Sequence, residues 1–98
     1  MSLISVQVIK TTGEEVEHQL PKVQFFQQLQ RLLNVPEGFD SVNLRDGRVM
    51  LVDDTAHIRH EKPDQNAKAT ELYHGVCRPG TTWPILGDVA IVRDNDFA

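Results

Sequence analysis

The residues with the clearest chemical potential are four side chains in two loops. His57-x-x-His60 and His74-x-x-Cys77 are two pairs, each with two intervening residues, and thirteen residues separate them. Zinc takes four nitrogen or sulfur ligands, and a two-residue gap lets both members of a pair reach one ion. Histidine pairs at this spacing are less diagnostic than cysteine pairs. The alternative is a set of loop histidines beside a small, inert thiol. The same residues could serve nucleophilic catalysis, with Cys77 as nucleophile, His74 or His60 as base and Asp88 as orienter. A catalytic thiol needs a base within reach and something that lowers its pKa. Cys77 sits in a glycine-bearing segment with no helix start behind it, so the pattern favours the inert thiol.

Two further constellations suggest binding. Asn66 and Thr70 are four residues apart at the start of a predicted helix, so both can project from one side of it. A helix N-terminus also presents backbone N–H groups to an anion. These residues could hold a nucleotide or another small polar ligand. Capping is the commoner role for Asn at such a position. The neighbouring Asp53-Asp54 pair would repel a phosphate, and no phosphate-cradling glycine loop is present. Trp83, with Arg78 nearby and Tyr73 and Phe97 as further aromatics, offers a partner surface, because aromatics and arginine dominate binding hot spots. The alternative is that Trp83 plugs an open end of the core.

The elements that must position these residues follow from periodicity. Ile4, Val6 and Val8 alternate with Ser5 and Gln7, which predicts a strand. A turn at Thr11-Thr12-Gly13-Glu14 leads to a second strand with Val16, His18 and Leu20 on one face. Pro21 suits the first turn of a helix. Phe25, Phe26, Leu29, Leu32 and Leu33 fall at helical spacing, and Asn34 before Val35-Pro36 should end that helix. This long amphipathic helix is expected on one face of the sheet. Ser41 to Asp53 predicts a hairpin around Asp46-Gly47. A two-residue loop there would pair Leu44 with Val49 and Val42 with Leu51, all on one face. A polar loop follows, then a short helix from Asn66 to about Tyr73, a second loop, and a strand at Val89 to Val92. The tail from Arg93 should fray. The expected fold is α+β: a mixed, mostly antiparallel sheet of about five strands, in the order β-β-α-β-β-α-β, in one domain spanning residues 1–98.

With these residues placed, the chain resembles an uncharacterised, DUF-type family of small proteins found in bacteriophages and mobile elements. The resemblance runs from Phe25 to Val92. It covers the helix, the hairpin from Val42 to Asp54, the Asn66-x-x-Ala69-Thr70 helix start and the Gly87-Asp88 pair leading into the last strand. It implies a phage, prophage or plasmid setting and a cytoplasmic accessory role, and it implies no reaction. The loops from His57 to His60 and from His74 to Trp83 depart from the family pattern.

Composition narrows the remaining classes. A formal net charge of −4 lacks the basic face of a phosphate-backbone binder, so nucleic acid is not an expected partner. The single cysteine excludes an intramolecular disulfide and fits a reducing compartment. No signal-peptide pattern opens the chain, and no apolar run is long enough to span a bilayer. The expectation is a cytoplasmic, non-enzymatic interaction protein without a cofactor. Its partner would be a host protein, and a homodimer is an additional possibility through an exposed strand such as Val16 to Leu20.

Overall fold

The computed structural model describes residues 3–59, 61–76 and 83–93. His60, Cys77, Arg78, Phe97 and the tail from Asp94 lie outside the described residues. The elements are β1 (Leu3–Ile9), β2 (Glu15–Pro21), α1 (Phe25–Leu33), β3 (Phe39–Asn43), β4 (Arg48–Asp53), α2 (Ala67–Val76) and β5 (Val89–Arg93). Five strands form one sheet in the order β2-β1-β5-β4-β3. The class is α+β, and the sheet is wholly antiparallel rather than mixed. β5 enters between β1 and β4 and runs against both, so β1 and β4, which run parallel, are not paired with each other.

Both faces of this sheet are covered. On one face Ile4, Val6 and Val8 of β1, Leu51 of β4 and Ala90 and Val92 of β5 pack under Phe25, Leu29 and Leu33 of α1. On the other, Ile9, Met50, Val52, Val89 and Ile91 pack under Ala69 of α2, joined by Leu44 and Ile85. β5 therefore reads Val-Ala-Ile-Val without alternation, as a central strand buried on both sides should.

The long helix of the sequence reading is shorter than expected. α1 has nine residues and α2 has ten, so neither dominates. Pro21 is not in the first helical turn; it closes β2 opposite Leu3. Gln24 then takes a left-handed conformation (φ 55°), and the helix begins only at Phe25. α2 extends beyond Tyr73 to Val76, and the last strand includes Arg93.

The β3–β4 hairpin also differs by one residue. Asn43 pairs with Val49 and Val42 with Met50. The loop is three residues, with Arg45 (φ 67°) and Gly47 (φ 86°) both left-handed. A slip of one residue moves every side chain of one strand to the opposite face. Val42 and Leu44 thus share the α2 face with Met50 and Val52, while Val49 and Leu51 face α1. The run Val49-Met50-Leu51-Val52 is apolar at every position, so its pattern could not distinguish the two registers.

Candidate interaction site

Two neighbourhoods hold the residues singled out from the sequence, and they have opposite characters. The first is a buried polar node at the start of α2. Asn66 is 1% exposed. Its Nδ2 donates to the carbonyls of Ile9 (2.8 Å) and Gly87 (3.0 Å), and its Oδ1 accepts the Ala69 N–H (3.0 Å). Its backbone N–H donates to Ile85 O at 2.8 Å. Thr70 continues the chain of contacts: its hydroxyl donates to Asn66 O (2.7 Å) and accepts the Ile85 N–H (2.8 Å). Asn66 is therefore an N-cap that also ties α2 to β1 and to the approach to β5. Both protons of its amide are used, as is its oxygen, so neither it nor Thr70 is set out for a ligand.

Gly87 and Asp88 complete the node. Gly87 has φ +83°, and a side chain there would meet Pro63 at 3.4 Å. Its N–H donates to Asp64 O at 2.8 Å. Asp88 Oδ1 accepts the Thr11 N–H at 2.9 Å, which fixes the β1–β2 turn. The Asp88 Oδ1 is engaged there, and among the described residues no histidine bonds to this carboxylate. Asn66, Ala69, Thr70, Gly87 and Asp88 thus converge on one architectural junction.

The second neighbourhood is open. Asp53 is buried at the end of β4, and its Oδ1 accepts the N–H (3.0 Å) and hydroxyl (3.1 Å) of Thr55. Its Oδ2 pairs with Arg59 Nη2 at 2.5 Å. The Ile58 and Arg59 N–H groups both donate to Thr55 O at 3.1 Å. These bonds wind residues 55–59 into one helical turn that projects His57 and Ile58. Sequence reasoning treated Asp53 with Asp54 as an acidic pair. In the fold, Asp53 is buried and paired, while Asp54 is exposed.

His57 and His74 both reach the segment before β5. His57 Nε2 lies 2.8 Å from Pro84 O, and His74 Nε2 lies 2.9 Å from Trp83 O. A carbonyl only accepts, so each histidine must carry a proton on Nε2. The His57 ring stands edge-on to Trp83, with centroids 5.0 Å apart at 84°. Trp83 is nevertheless 63% exposed, and Ile58 is 82% exposed. Trp83 is held at its carbonyl and by the perpendicular His57 ring while most of the residue faces outward. It does not plug the core.

Beside Trp83 lies a cleft of about 180 Å³, whose apolar wall includes Val42, Tyr73 and Ile85 and whose exposed acids are Asp40 and Asp54. Of the partner-surface residues read from the sequence, Trp83 and Tyr73 are brought together here. Arg78 lies outside the described residues. Asp54, read from the sequence beside Asn66 and Thr70, lies here instead, and Asp40 was not read at all, because nothing in the chain shows that the 55–59 turn, β3 and the Trp83 segment meet.

The metal reading has less to stand on in this geometry. One ring nitrogen of His57 and one of His74 is committed to a backbone carbonyl. Among the described residues no group of three or more His, Cys, Asp or Glu converges on one point. His60 and Cys77 lie outside the described residues. No helix among the described residues is long and apolar enough to cross a membrane. Comparison with family models, characterised proteins and solved structures found no match.

Proposed function

We propose that this protein is a non-enzymatic interaction module that docks on a partner protein through Trp83. The carrying observation is the indole itself: 63% exposed, yet fixed by His57 against its ring and by His74 at its carbonyl. Exposed aromatics held in one conformation lose little entropy on binding and make effective hot spots. Tyr73 and Ile85 widen the apolar contact, and Asp40 and Asp54 set its charge. The complementary partner presents an apolar side chain flanked by lysine or arginine. A cation over the indole face would gain further attraction.

The setting proposed for this activity is that of a phage or mobile-element accessory protein acting on a host protein, with inhibition of host defence as its purpose. That setting is supported by the resemblance alone. The competing reading, a nucleotide or small-ligand binder at Asn66 and Thr70, would have to displace hydrogen bonds that hold the fold together.

The test is capture from a bacterial lysate followed by native mass spectrometry. A partner retained by the natural chain should be lost by Trp83→Ala with no change in thermal unfolding. Retention of the same partner by Trp83→Ala would overturn the assignment, and unfolding of that variant would make Trp83 structural.

A further inference from the structure

The two edges of the sheet are not equivalent. At the mouth of the first hairpin the Lys10 N–H donates to Glu14 O at 2.8 Å. Antiparallel ladders alternate, so Val8–Val16, Val6–His18 and Ile4–Leu20 are the hydrogen-bonded pairs. The N–H and C=O groups of Glu15, Glu17 and Gln19 therefore point away from the sheet, with the C=O of Pro21. The same reasoning from Leu44 N–H to Arg48 O turns Phe39, Ser41 and Asn43 outward on β3. That edge is five residues long, and its central outward N–H, that of Ser41, is capped by Asp40 Oδ1 at 3.0 Å. The seven-residue β2 has no such cap among the described residues, and it carries neither a lysine nor an internal proline, the common protections of an edge.

β2 is also complementary to itself. We infer that two copies of this chain pair β2 with β2 antiparallel about His18, continuing the five-stranded sheet into a second copy. In this register all seven residues overlap. Glu17 faces Gln19 of the partner subunit, and Glu15 faces Pro21 of the partner subunit. The outward donors of Glu17 and Gln19 meet outward carbonyls, and Glu15 N–H meets the carbonyl of a proline that has no N–H to leave unpaired. Val16, half-buried on the α1 face, comes opposite the partner's Leu20. No like charges lie directly opposite. Moving the register by two residues toward the hairpin turn would place Glu17 against the partner's Glu17, which is unfavourable. An edge of this length buries little area, so the dimer is reversible and concentration-dependent.

The experiment is sedimentation equilibrium of the full chain over a wide concentration range, with three variants. Gln19→Pro removes an outward donor and no donor to β1, and His18 before it is already extended as proline requires. It should fold, shown by circular dichroism, and weaken the dimer about a hundredfold, with two intersubunit hydrogen bonds gone. Gln19→Glu, an exposed change that keeps the backbone, should weaken it about tenfold by opposing like charges. Glu17→Gln removes the diagonal repulsion across the two-fold axis and should tighten it about threefold. A chain that stays monomeric at the highest concentration overturns the proposal. So does a dimer whose affinity is unchanged in Gln19→Glu and Glu17→Gln.

Discussion

The node at Asn66 and the surface at Trp83 are both fed by loops that precede β5, yet one is closed and the other open. At the node, each polar group of Asn66 and Thr70 has a partner within the chain, and Asn66 is 1% exposed. At the surface, among the described residues, His74 bonds to the Trp83 carbonyl and the His57 ring packs perpendicular to the indole. The difference separates two meanings of a notable residue. Buried polar side chains are retained where leaving a backbone group unpaired would be costly. Exposed aromatics fixed from behind are suited to meeting something else. The motifs that stand out in the sequence belong to the first kind.

The comparison breaks most decisively at Asn66. Asn66→Ala leaves the carbonyls of Ile9 and Gly87 and the N–H of Ala69 without their side-chain partner. The expected cost is about 3–5 kcal/mol, measured by urea unfolding, given about 1–3 kcal/mol for each buried group left unsatisfied and partial relaxation around them. A loss below about 1 kcal/mol would show that the node is not structural, since even a simple cap is worth that much.

Thr70→Val is the next step down. It keeps the shape but removes the acceptor for Ile85 N–H, and it should cost about 1–3 kcal/mol in the same assay. Gly87→Ala should cost about 1–2 kcal/mol, from the left-handed backbone. Trp83→Ala sharpens the contrast from the open side. With most of the indole exposed, its effect on stability should stay within about 0.5 kcal/mol, while partner binding is lost.

The smallest effect is electrostatic. Lys68 Nζ lies 2.7 Å from Glu15 Oε2 and links the first turn of α2 to β2. The Lys68 hydrogen bond, then its charge, holds the Glu15 carboxyl below the usual glutamate value. A lowered folded-state pKa contributes stability above the unfolded value, and that contribution is lost as pH falls through the folded one. In Lys68→Ala, an NMR titration should find the Glu15 carboxyl shifted upward, with little change in unfolding at neutral pH because the pair is exposed.

Much of the fold was legible because single-face periodicity leaves few choices. Ile4, Val6 and Val8 could only line one side of a strand, and Leu29 and Leu33 could only lie on the inner face of a helix. Legibility failed where the pattern was uniform or a local conformation intervened. The apolar run of β4 concealed its register, and the left-handed Gln24 delayed α1 by four residues from the proline that seemed to start it. The capping role of Asn66 was readable from its type and position. Its two bonds to distant carbonyls were not, because Ile9 is fifty-seven residues away.

The sequence by itself determined the α+β class, the antiparallel hairpins, the helix face toward the sheet and the chemical types available in each loop. These are local properties, set by side-chain periodicity and turn residues. Tertiary structure alone decided that Asn66, Thr70, Gly87 and Asp88 form a closed junction, that His57 and His74 grip neighbouring carbonyls, and that Trp83 is left facing outward. It also decided that β3 is the sheet's second edge, in addition to β2. Those outcomes depend on contacts between segments far apart in the chain, where the insertion of β5 between β1 and β4 fixes what each loop can reach.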